Sequence, residues 1–149
     1  MAGIISSADI DVTGNLAATG AVSTTSGDVT VGGNLTTGST LMSAGLLSVT
    51  ETSELGGNVT TTGTQTYSGA VILTNDVEID AGMSDIIFSS TIDSEDGSAF
   101  DLIVATSGIT RFQNIIGGTD ELLSLSVTGD GPIEIGGNAV SYTHLTLPT

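Results

Sequence analysis

Apolar side chains recur at every second position in short runs along this chain. Ile10 and Val12, Val29 and Val31, Val71 and Leu73, Val77 and Ile79, Leu102 and Val104, and the trio Leu123, Leu125 and Val127 each enclose a mostly polar residue. Gly, Asn, Asp and Ser cluster between the runs. Alternation with a period of two, punctuated by turn-forming residues, is the signature of short β-strands with one face inward. Thr, Ser, Gly and Val dominate, and no apolar stripe at helical spacing persists for three turns, so almost no helix is expected.

The runs belong to longer repeats. VTGNLAATG from Val12, VGGNLTTGS from Val31 and LGGNVTTTG from Leu55 share one phrase, and their Asn15, Asn34 and Asn58 are separated by 19 and then 24 residues. Downstream, the stretch from Phe88 to Ile109 is echoed from Phe112 to Ile133, each with Phe followed four positions on by Ile and then an acidic turn. GGNV at Gly56 returns as GGNAV at Gly136. A repeat of about twenty residues supplies two or three short strands, too few to bury their own inward face, so successive coils must stack. The expected fold is therefore all-β, a parallel β-helix (solenoid) over residues 1–139, with about six coils of roughly 22 residues at the usual strand spacing. Gly and Asn at the corners are expected to supply left-handed backbone. A two-sheet β-sandwich is the structural alternative.

Composition sharpens this picture. Hydrophobic residues make up 38% of the 149 residues, enough for a folded core, while aromatics are only 3% and Cys and Trp are absent. Seventeen acidic residues face a single basic one, Arg111, giving a formal net charge of −16. Such a charge repels phosphate backbones and anionic lipid, which argues against nucleic-acid and membrane-surface partners. The start lacks the basic and apolar regions of a secretion signal, and nowhere do 18 apolar residues run together, so no membrane-inserting segment is expected.

The phrases GGNVTTTGTQTYSGAVILTNDVEI from Gly56 and SGITRFQNIIGGTDELLSLSVTGDGPIEIGG from Ser107 resemble the strand repeats of very large bacterial surface proteins, the filamentous-haemagglutinin-type adhesins and autotransporter passenger domains. The resemblance spans most of residues 9–139. It implies a right-handed parallel β-helix, an extracellular or cell-surface location, and partners among adjacent repeats of a longer parent chain and host or biofilm proteins or glycans. The GNL phrases are also similar to the shafts of phage tail fibres, an alternative that implies a trimer. Residues 140–149, VSYTHLTLPT, resemble a translated sequencing adapter and are expected to be non-native, with residues 1–139 a fragment truncated at both ends.

Candidate chemistry is sparse. The only His, His144, lies in the adapter-like tail, so no His-dependent nucleophile or metal site is expected, and Gly-rich Val31–Gly38 has no Lys to serve a phosphate loop. Neither catalytic nor cofactor-binding nor metal residues are assigned, and the chain is expected not to be an enzyme. A polysaccharide-acting β-helix enzyme is the remote alternative, because stacked coils bring carboxylates close. The most concrete metal candidate is Ca²⁺ at Asp93, Glu95, Asp96 and Gly97 with Asp101 nearby, or on the strand face carrying Asp76, Glu78 and Asp80, although the helix-loop-helix calcium spacing is not met. The Asn-x-Thr triplets at Asn34 and Asn58 are read as stacked corners. Tyr67, Phe88, Phe100 and Phe112 are read as core, and Arg111 as pairing with a carboxylate on a neighbouring coil.

Overall fold

Every sixth residue from Val29 to Val77 is buried: Val29, Leu35, Leu41, Leu47, Ser53, Val59, Gln65, Val71 and Val77. The residue two positions after each of these is buried too, from Val31 to Ile79. A six-residue unit of three strand residues and three corner residues therefore builds the chain, and three units close one coil. The spacings between the Asn phrases follow from this: 18 residues make a regular coil, 19 a coil with the extra corner residue between β4 and β5, and 24 a coil plus one side.

The computed structural model describes residues 3–139 and 141–147, with the backbone only for 141–145. Coil 1 contains β1 (Ile4–Ser6), β2 (Ile10–Val12) and β3 (Leu16–Ala18), and coil 2 contains β4 (Val22–Thr24), β5 (Val29–Val31) and β6 (Leu35–Thr37). Coil 3 has β7 (Leu41–Ser43), β8 (Leu47–Val49) and β9 (Ser53–Leu55), and coil 4 has β10 (Val59–Thr61), β11 (Gln65–Tyr67) and β12 (Val71–Leu73). In coil 5 these become β13 (Val77–Gly82), β14 (Ile86–Phe88) and β15 (Ile92–Ser94). Coil 6 holds β16 (Asp101–Thr106) and β17 (Thr110–Phe112), and coil 7 holds β18 (Leu122–Thr128) and β19 (Ile133–Ile135). Single bridges at Ile116 and Ala139 continue the third side.

Three parallel sheets result, one for each side of the column. Side A runs β1-β4-β7-β10-β13-β16-β18-β20, side B from β2 to β19, and side C from β3 to β15, where β20 is Ser141–Thr146. The solenoid expectation holds, with no helix among the described residues, but the winding count is about seven rather than six. Coils repeat every 18 or 19 residues up to coil 4 and every 20 to 25 from there to coil 7, so a uniform repeat near 22 averages two regimes. Within the adapter-like stretch, β20 pairs with β18, while Val140, Pro148 and Thr149 lie outside the described residues.

Stacking puts like side chains in rows through the core. Tyr67, Phe88 and Phe112 form one row on side B, with ring centroids 5.1 and 5.2 Å apart and planes within 7°. The Phe88 and Phe112 repeats are thus one coil apart, in register, and Ile92 bridges Ile116 as the sequence echo predicts. Phe100 is only partly buried, against the edge of the core. On side A the inward hydroxyls of Thr24, Ser43, Thr61 and Thr106 stay in the core because each donates to a corner carbonyl; Ser43, for example, bonds Leu46 O at 2.9 Å. The run after Glu121 departs from simple alternation. Leu122, Leu125 and Val127 are inward, whereas Leu123 is 38% exposed, beside a register shift between Leu122 and Ser124.

The corners correct another expectation. Among the described residues, positive φ occurs only at five Gly, Gly27 at +115° among them, and at no Asn. Most corner Gly serve close approach instead: a Cβ at Gly57 would lie 2.5 Å from the Ser39 carbonyl carbon of the coil below. Corner Asn and Asp act through their side chains. Asn15 Oδ1 accepts the Asn34 N–H at 2.9 Å, and Asn34 Oδ1 accepts the Thr52 N–H at 3.1 Å. Asn58 is not the next rung. It stands at a different corner, where it accepts from Glu78 N–H at 2.9 Å.

Candidate functional site

From coil 5 onward the extra residues sit largely at the corner between sides C and A. Residues 95–100 form one loop there and 117–121 another, stacked one coil apart. Thr119 N–H donates to Asp93 Oδ1 at 2.9 Å, Ser94 N–H to Asp120 O at 3.0 Å, and Phe100 N–H to Ser94 Oγ at 3.1 Å. These loops overhang the outer surface of side C and enclose a cleft of about 420 Å³. Ala70, Ile72 and Thr74 line its floor, while Glu54, Asp93, Glu95, Asp96 and Asp120 contribute carboxylates around it.

Residues grouped as one acidic run in the sequence are therefore divided. Asp93, Glu95 and Asp96 border the cleft, but Asp101 starts β16 and joins Asp76 and Glu78 around a separate depression of about 300 Å³. There, Asp76 Oδ1 accepts the Asp101 N–H at 3.0 Å, and Asp101 Oδ1 accepts the Ser124 hydroxyl at 2.6 Å. Glu78 and Asp80 do share the outer face of β13, although Asp80 Oδ1 is engaged by Gly82 N–H at 2.7 Å. Among the described residues no three His, Cys, Asp or Glu side chains are grouped so as to hold a metal ion. Asp76 and Asp93 already serve as backbone acceptors, each holding a corner to the coil above it.

Protein-family models, curated proteins and solved structures give no match to this chain. What the molecule offers must be read from its own surface. Arg111 pairs with Glu134 across coils 6 and 7 at 2.6 Å, as expected for the chain's single basic side chain. Their hydrogen bond and mutual attraction raise the Arg111 pKa and lower that of Glu134. Tyr67 is wholly buried, and burial pushes its phenol far above the ordinary value. Its neutral hydroxyl donates to Gln65 Oε1 at 2.7 Å, and Gln65 Nε2 donates to Asp80 O at 2.8 Å. This pair is structural, facing the core with no route to a substrate.

Among the described residues no helix is long and apolar enough to cross a membrane. Sequence reasoning placed the acidic residues on turns and strands but missed the cleft, because its floor and rim come from coils 3 to 6. The recurrence of bulky residues every six positions would have revealed which acids share side C.

Proposed function

We propose that this chain is a non-catalytic, structural and adhesive repeat segment of a large secreted bacterial surface protein. The observation that supports this reading is the stack of about seven coils, with sides A and B parallel sheets from one coil to the next and side C a sheet through coil 5 continued by single bridges. At the usual strand spacing the stack is a column about 30 Å tall, a spacer unit that lengthens by adding coils. Outward positions on side B carry Thr30, Ser48 and Thr66 in register, a polar strip over coils 2 to 4 that Ile87 and Arg111 continue above. Partners on this reading are the neighbouring coils of a parent chain and a host or biofilm protein or glycan.

Binding of the purified chain to arrays of matrix proteins and glycans tests the adhesive part. Reproducible capture is expected, and none across the arrays would reduce the role to that of a spacer. Release of reducing sugar from a polysaccharide panel would instead support catalysis. A stable, dissociation-resistant trimer in light scattering would support a fibre shaft.

A further inference from the structure

We propose that the cleft on side C is a binding site for a linear aliphatic polyamine, a small ligand whose ammonium groups are spaced by methylenes. This goes beyond the adhesive reading and does not depend on it. Strand register fixes the floor. Glu54, Ile72 and Asp93 occupy one outward row on β9, β12 and β15, so an isoleucine side chain stands between two carboxylates. At the usual strand spacing the two acidic residues are about 10 Å apart across it. Ile72 faces outward yet is half-buried, and Ala70 extends the apolar floor. Thr36 Oγ1 donates to Glu54 Oε2 at 3.2 Å, and Thr119 N–H to Asp93 Oδ1 at 2.9 Å. Each carboxylate is thus held through one oxygen and keeps a second to offer.

The rim adds charge on backbone that is already fixed. Asp96 lies in a turn closed by Ser98 N–H on Glu95 O at 2.9 Å, and Glu95 N–H ties that turn to Leu73 O of the coil below at 2.8 Å. Asp120 stands on the second overhanging loop, so little of the site has to be ordered when a ligand enters. Arg111 is on side B and paired with Glu134, leaving no Lys or Arg of the chain for the cleft. A single metal ion is a poor match, since among the described residues no three of these carboxylates converge on one point. Carboxylates spread around an apolar strip fit positive charges distributed along a hydrocarbon chain. The methylenes lie on Ile72 and Ala70 while the ammonium groups reach the acids. A cleft of about 420 Å³ is in the range that holds small ligands.

Isothermal titration of the 149-residue chain with spermidine at low ionic strength is the test, with far-UV circular dichroism confirming the fold of each variant. A single saturable site per chain is expected. Asp96→Asn combined with Asp120→Asn removes two rim charges and should weaken binding about tenfold or more. Asp11→Asn combined with Asp130→Asn removes the same charge at exposed positions in coils 1 and 7, and should leave the affinity unchanged. Ile72→Thr keeps every charge but thins the floor, and a loss of about fourfold is expected. Absence of saturable binding overturns the proposal. Equal weakening by the two pairs of substitutions overturns it too, because net charge alone would then explain the attraction. So does Ca²⁺ that displaces spermidine at matching concentration, or trilysine that binds more tightly than spermidine; these would assign the cleft to a metal ion or to a basic protein segment.

Discussion

Coils 2 to 4 and coils 5 to 7 solve the same packing problem with different materials. In the first set each side is a three-residue strand, and the core is a mixture of Val and Leu with Thr, Ser and Gln, joined in coil 4 by Tyr67. In the second, side A widens to strands of six or seven residues, and the aromatic row fills the enlarged interior. Gln65 stands at the junction. Its amide reaches the Asp80 carbonyl next to the register irregularity between Asp80 and Gly82, where the wide strands begin. Both regions keep inward hydroxyls close to corner carbonyls, Thr106 in coil 6 among them, but the wider cross-section also needs volume, which Phe supplies.

The largest expected effect comes from removing that volume. Phe88→Ala takes out the middle ring of the row and should cost about 3–5 kcal/mol, read as a lowered midpoint in urea unfolding. Because solenoid coils couple mainly to their neighbours, amide exchange should accelerate in coils 4 to 6 well before coils 1 and 2. Uniform acceleration would mean that the two regions unfold as one unit. Gly57→Ala probes the narrow coils, where an added Cβ meets the Ser39 carbonyl carbon at 2.5 Å. The expected loss is about 1–3 kcal/mol, and an unchanged melting temperature would show that this corner yields.

Two smaller effects sharpen the contrast. Thr37 Oγ1 and Ser53 Oγ are buried on side C with no hydrogen-bond partner. Thr37→Val should therefore raise stability, by about 1 kcal/mol, and a loss would reveal a partner for that hydroxyl. The Arg111–Glu134 pair, exposed between coils 6 and 7, should matter least. Glu134 has a lowered pKa in the folded chain, so its contribution is present above the ordinary carboxylate range and is lost as pH falls through the folded value. Arg111 stays charged throughout. Melting curves of Arg111→Gln and the parent should differ slightly near neutral pH and converge in acid.

How legible was this in the sequence? Strand identity and the stacked architecture followed from period-two runs such as Val29 and Val31, because inward and outward positions alternate along any strand. The Phe88 and Phe112 echo placed two core residues one coil apart, and a carboxylate partner for Arg111 in a neighbouring coil followed from its being the only cation. The count of windings did not, since Asn34 and Asn58 share a phrase but stand at different corners. Phrase similarity marks corner chemistry, which all three corners use alike. The buried positions mark the coil, and Ser53 and Gln65 conceal that rhythm because they are polar residues at inward positions. Nor did the acidic cleft emerge, because Glu54 and Asp120 border one cleft only once four coils are stacked.

The position of Arg111 has one more consequence. With no Lys and no other Arg, the chain gives a protease that cuts after basic side chains a single bond, between Arg111 and Phe112. That bond lies within β17, flanked by β14 on one edge and β19 on the other, with the Phe112 side chain enclosed. Cleavage of a folded chain needs a stretch that has come loose. Digestion by trypsin therefore reports the opening of coil 6 alone, a single-site gauge of how often the wide half of the column comes apart.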